Sequence, residues 1–121
     1  MLRGIRGATT AENTVESIRD ATVTLLREIV ARNQLATHDL AAAMFCLTPD
    51  LDAAFPAKAA RDMGWQDVPL LDYVSPAVSG SLSGCIRVLL LWNTQKPAEE
   101  IRHVYQEEAV TLRPDLLEVK N

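Results

Sequence analysis

Residues 83–94, SGCIRVLLLWNT, set one arginine inside an otherwise apolar run. With strand alternation, Cys85, Arg87, Leu89 and Leu91 share one face, and Ile86, Val88, Leu90 and Trp92 share the other. Apolar residues on both faces predict a strand covered from both sides, which commits the chain to a layered fold around it. Arg87 is the exception in that run. An unpaired buried guanidinium costs several kcal/mol even after relaxation. The strand must therefore end at a surface, meet a carboxylate of its own chain, or meet an anionic ligand.

The flanking segments predict what surrounds this strand. Residues 2–8 read as a short strand, and Asn13 followed by Glu16 reads as a capping box opening a long helix to about Asn33. Val15, Ile18, Leu25, Leu26, Ile29 and Val30 form its apolar stripe. AAAMFCLT (41–48) has strand length, and TPDL after it offers a cap and a proline for a first helical turn. PAKAARDMG (56–64) predicts a short helix stopped by Gly64, VPLLDYV (68–74) a strand, and SPAVSGSLSG (75–84) a loop leading into the Arg87 strand. Pro97, Glu99 and Glu100 predict another short helix, and residues 103–113 an extended segment ended by Pro114. The order β-α-β-α-β-β-α-β predicts an α/β fold, a mixed β-sheet with helices packed on it.

At 121 residues and 48% hydrophobic, the chain is expected to form one domain, 1–121, with enough apolar surface left over for association. A net charge of −4 with scattered basic residues argues against nucleic acid or an anionic membrane as the main partner. The start MLRGIRGATT has no apolar signal-peptide core, and no apolar run approaches the ~20 residues that span a bilayer. Cys46 and Cys85, each inside a predicted buried strand, read as free thiols of a reduced, cytoplasmic protein.

Two more arginines repeat the Arg87 pattern: Arg6 in GIRGA, flanked by glycines, and Arg113 in TLRPDL, beside Leu112 and Pro114. Three isolated arginines in apolar strand contexts suggest anion binding. Each also reads as a strand-end arginine whose stem packs while its head reaches water. Tyr105 and Phe55 are equally readable as core or as pocket wall, and Lys58 as solvated. Other chemistry finds little support. His38 and His103 lack a ligand spacing, so no metal is expected. SGSLSG precedes a strand and lacks the G-K-[ST] ending of a phosphate loop, and no serine lies in a G-x-S-x-G elbow. Cofactor-free binding of a small anion by several arginines remains.

RGIRGATT at the start, TPDLDAAFPAKAAR in the middle, CIRVLL after the Gly/Ser loop and IRHVYQEEAVTLRPDL near the end resemble, in order and spacing, the monofunctional, Bacillus-type chorismate mutases of the AroH class. The resemblance covers nearly the whole chain. It implies a homotrimer with a pseudo-α/β-barrel architecture, active sites in clefts between subunits, and conversion of chorismate to prephenate in phenylalanine and tyrosine biosynthesis. No cofactor is implied, because the reaction is a unimolecular [3,3] shift that a protein helps by holding a compact conformer and stabilising developing charge.

By the same resemblance Arg87 faces the ether oxygen and a carboxylate, while Arg6 and Tyr105 bind a substrate carboxylate. Arg113 with Leu112 lies near the site mouth, and Phe55, Ala57, Lys58, Arg61, Leu70 and Leu71 form wall or rim. One departure stands out. The family's acidic residue, which hydrogen-bonds the substrate hydroxyl, falls on Ser75. Asp72 lies three residues earlier, at a family position that contacts the same hydroxyl, and is the candidate to restore the carboxylate; it also reads as a surface residue at a strand end. Two other functions stay open: an AroH-like protein binding chorismate or a related cyclic dicarboxylate with lost or altered activity, and a non-enzymatic trimer whose arginines serve subunit salt bridges.

Overall fold

The computed structural model describes residues 1–112. Five strands, β1 (Leu2–Thr10), β2 (Leu40–Leu47), β3 (Leu70–Val74), β4 (Cys85–Asn93) and β5 (Val104–Tyr105), form one mixed sheet in the order β3-β2-β4-β1-β5. The central β4 pairs antiparallel with β1 and β2, and the edge strands β3 and β5 run parallel to their neighbours. Among the described residues there are also two helices, α1 (Val15–Asn33) and α2 (Pro56–Asp62), with 3-10 turns at Thr37–Asp39, Ala98–Glu100 and Glu107–Thr111.

Both helices lie toward one face of the sheet. That face carries Ile5 of β1, Phe45 of β2, and Val88, Leu90 and Trp92 of β4, which form the core with Leu25, Leu26 and Ile29 of α1 and Ala57 and Ala60 of α2. Gly7 explains how closely α1 sits: a Cβ there would lie 2.7 Å from the Ile29 Cδ1 and 2.9 Å from the Val88 Cγ1. The stripe of α1 that is buried runs Ile18, Thr22, Leu25, Leu26, Ile29 and Asn33.

The structure corrects several sequence expectations. The Arg87 face of the strand is covered only at its start, where Cys85 is buried with Ala8 and Ala109; Arg87 and Leu89 are exposed in the chain, and Cys46, on the same face of β2, is only partly buried. Thr14, not Asn13, caps α1, its hydroxyl accepting from the Ser17 N–H; Asn13 instead accepts from the Asp52 and Ala53 N–H groups and donates to the Asp52 carboxylate. Val15 therefore starts the helix outside the buried stripe and is exposed. TPDL forms a turn, because Thr48 spends its hydroxyl accepting from the Cys85 N–H. Residues 103–113 are not extended throughout. β5 stops at Tyr105, the Gln106 N–H makes the last bond to the Ala8 carbonyl, and Glu107 at φ 53° turns the chain into a 3-10 segment. The predicted helix at Pro97 is a single 3-10 turn, too short for α-helical bonding.

Candidate active site

The open face of the sheet is built from one row of residues per strand position. Cross-strand partners point the same way. The register places Tyr73, Cys46, Arg87, Ala8 and Tyr105 in one row across β3, β2, β4, β1 and β5. Arg6 and Leu89 pair in the next row. Ala8 is the small member between Arg87 and Tyr105, and its methyl leaves room between the guanidinium and the phenol. The result is a cavity of about 310 Å³ lined by Arg6, Ala8, Arg87, Tyr105 and Leu112. Residues distant in sequence, predicted separately as candidates, thus converge. Arg113 lies outside the described residues.

The start of β4 is firmly held, which fixes the base of Arg87. The Cys85 N–H donates to the Thr48 hydroxyl at 2.9 Å, and the Gly84 N–H donates to the Asp50 carboxylate at 2.9 Å. Gly84 takes φ +62°, and a Cβ there would sit 2.9 Å from the Ala11 carbonyl oxygen, so this turn requires glycine. Burial pushes the Cys85 thiol up from its usual range, opposed by the neighbouring Arg87 guanidinium. Among the described residues, neither Arg6 nor Arg87 has a carboxylate within 4.0 Å. Of the three exits open to Arg87, the own-chain carboxylate is therefore closed within residues 1–112.

The remaining candidates lie elsewhere in the chain. Phe55 and Asp72 line a second, largely apolar cavity of about 320 Å³ with Leu47, Leu51, Tyr73 and Val74. Phe55 is 67% exposed and Leu71 57% exposed, large values for apolar side chains, while Leu70 packs on the core. Lys58 pairs with Asp62 one helical turn on, at 2.7 Å on the surface, and Arg61 is exposed. The Ser75 N–H donates to the Leu47 carbonyl, continuing the β2–β3 ladder by one step.

Asp72 points to the helix-covered face, opposite to Arg87, because its partner Phe45 belongs to the core face. Its Oδ1 accepts from the Ala57 N–H at 3.0 Å, so it caps the first turn of α2 from outside. Partial burial pushes its carboxyl above the usual range, against the pull of that N–H and of Arg61. Sequence reading missed this bond, since nothing local joins a strand residue to a helix start 15 residues earlier. Within one chain the structure brings Arg6, Arg87, Tyr105 and Leu112 together, and leaves Phe55, Lys58, Arg61, Leu71 and Asp72 at the β3 edge.

Among the described residues, Arg6 and Arg87, with no carboxylate within 4.0 Å, and Tyr105 line one cavity on the sheet face away from the helices, an arrangement that could take a small anion. The comparisons make this specific. Residues 2–116 match the model of the family chorismate mutase type I, and the chain belongs to that family. It is 52% identical to the chorismate mutase AroH of Thermus thermophilus over 118 residues, 96% of this chain and 97% of that protein. It is 47% identical to the chorismate mutase AroH of Bacillus subtilis over 123 residues, 100% of this chain and 97% of that protein. A solved chorismate mutase from Clostridium thermocellum superposes with a TM-score of 0.88 at 44% identity, covering 90% of this chain and 98% of that one.

Proposed function

We propose that the chain is a chorismate mutase, an isomerase that converts chorismate to prephenate by a cofactor-free [3,3] rearrangement. The observation that carries this reading is the pair Arg6 and Arg87 on the open face beside Tyr105, without carboxylate partners among the described residues. Chorismate brings two carboxylates and an ether oxygen that gains negative charge as its C–O bond breaks. Arg87, a planar fork of donors, suits both a carboxylate and that oxygen; Arg6 and Tyr105 suit the second anchoring point. Two fixed anchors hold the ring and its side chain in the compact conformer, and a pre-organised donor lowers the barrier selectively.

The active unit in this reading is a homotrimer with sites between subunits. Two features support it. The wall and rim candidates of β3 and α2 are separated from the Arg87 cluster within one chain by the width or thickness of the sheet. The open face and the β3 edge also expose Leu71, Tyr73, Val74, Leu89 and Phe55, an apolar patch suited to a second copy. In the assembly, Phe55, Lys58, Arg61, Leu71, Asp72 and Ser75 of one subunit's edge, backed from the core by Ala57 and Leu70, would close the cluster of Arg6, Arg87, Tyr105 and Leu112, to which the resemblance adds Arg113. The partner of the second kind is the small-molecule substrate, and neither nucleic acid nor membrane is required. No helix among the described residues is long and apolar enough to cross a membrane, and free Cys46 and Cys85 suit the reducing cytoplasm.

Loss of the chorismate ultraviolet absorbance on adding the protein, with prephenate as product, tests the proposal; unchanged absorbance at stoichiometric protein would defeat it. Ser75, uncharged where the family carries its acid, favours one second reading, an AroH-like binder with reduced turnover. Tight binding of an oxabicyclic transition-state mimic without turnover selects that reading.

A further inference from the structure

The outer edge of β1 carries an unusual bond. The Arg6 N–H donates to the Nδ1 of His103 at 2.9 Å, so an imidazole takes the place of a strand carbonyl. The reason lies in the register: β5 spans only Val104–Tyr105 and pairs with Gly7 and Ala8, so the ladder stops one residue short of Arg6. The backbone that carries the imidazole is itself clamped. Asn33, fully buried at the end of α1, accepts from the Arg102 N–H at 2.8 Å and donates to the Arg102 carbonyl at 2.9 Å, and also donates to the Ile29 carbonyl at 2.9 Å. Hydrogen bonds thus tie Arg102 to the end of α1 and the adjoining His103 imidazole to the backbone of Arg6.

We infer that His103 is a positioning residue for Arg6, fixing through its Nδ1 acceptor the strand segment from which the Arg6 guanidinium reaches the substrate carboxylate. This rests on the mutase reading above. An accepting Nδ1 places the proton of the neutral ring on Nε2. Removing the acceptor leaves the Arg6 N–H to water, frees the edge of β1 and lets the guanidinium wander; its effect on catalysis passes through Arg6.

The test compares three variants by chorismate kinetics at matched thermal stability. Asparagine can set its Oδ1 where Nδ1 stood, so His103→Asn should keep kcat/KM within about twofold of the parent, whereas His103→Leu should lose about tenfold, the worth of one hydrogen bond, mostly in KM. If the leucine variant does not fold, His103→Gln, whose longer side chain carries the acceptor past that point, should show the same loss. In an Arg6→Ala background the loss should disappear, because the two residues act as one unit. Amide exchange at Arg6 should be slow in the parent and the asparagine variant and fast in the others. A parent that neither turns over chorismate nor binds the mimic overturns the mutase reading itself. An active parent matched by its leucine or glutamine variant, or a loss that adds fully to Arg6→Ala, overturns the role of His103 alone.

Discussion

Arg87 and Tyr105 flank Ala8 in a single cross-strand row, two strand spacings apart, or roughly 10 Å between backbones. That separation suits a substrate the size of one six-membered ring with carboxylates on either side, and it depends on the residue between them being small. Ala8 is 1% exposed, so its size is set both by the cavity above it and by the packing around it.

Arg87 is the residue whose loss should be most costly. Arg87→Ala is expected to lower kcat by at least the ~10²–10³ that follows loss of one pre-organised donor to a developing oxyanion, with Arg87→Lys a poor rescue for want of the planar fork. Steady-state kinetics on chorismate checks this, and near-normal turnover of the alanine variant would remove Arg87 from the mechanism.

The assembly should be visible in solution. Light scattering is expected to give about 40 kDa, three times the 13.3 kDa chain. Leu89→Asp, which puts a charge on the open face beside Arg6, should yield a folded monomer with little activity. A fully active monomer of the parent chain would place the site within one subunit.

Asp72→Asn should move activity and stability in opposite directions. If Asp72 supplies the carboxylate that Ser75 lacks, the variant should lose one charge-assisted hydrogen bond to the substrate hydroxyl, about 1.5–3 kcal/mol or roughly 10- to 150-fold in kcat/KM. Ser75→Glu in that background should recover much of it. Stability follows the raised carboxyl of Asp72. A folded-state pKa above the unfolded one means the carboxyl contributes fully below the unfolded value of 3.8, and that contribution fades as pH rises through the folded value. The asparagine, which can still accept from the Ala57 N–H, should therefore have a Tm advantage at pH 7 that shrinks toward pH ~4. An Asp72→Asn enzyme as active as the parent, beside a Ser75→Glu enzyme that is much faster, would make Asp72 a bystander.

Gly7→Ala tests why glycine follows Arg6 in GIRGA. The added methyl would crowd the Ile29 Cδ1 and Val88 Cγ1, and overpacking of this kind costs about 1–3 kcal/mol. Thermal or denaturant unfolding measures it. The same methyl pushes β1 away from α1, so activity should fall through the neighbouring Arg6. An unchanged Tm would mean the helix yields at no cost.

Local pattern was enough to locate β1 to β4 and both α-helices to within a few residues, though not the chain after Pro97, because alternation, apolar stripes, Pro56 at a helix start and Gly64 at a stop act through near neighbours. It also singled out Arg6, Arg87 and Arg113, since a charge in an apolar strand context demands an explanation wherever the strand goes, whereas Tyr105 was equally readable as core and took a site role only from the family resemblance. The face of each strand could not be read this way. CIRVLLLWN is apolar on both sides, and only the placement of α1 and α2 on the Ile86–Trp92 side decided that Arg87 looks outward from the chain. The capping of α2 by Asp72, the Asn33 clamp and the imidazole that completes the edge of β1 were equally invisible, for they join segments 15 to 97 residues apart. Sequence alone determined which residues are candidates for the chemistry, because side-chain type is a local property; tertiary structure decided which of them meet, because strand order and register set distances that no local spacing records.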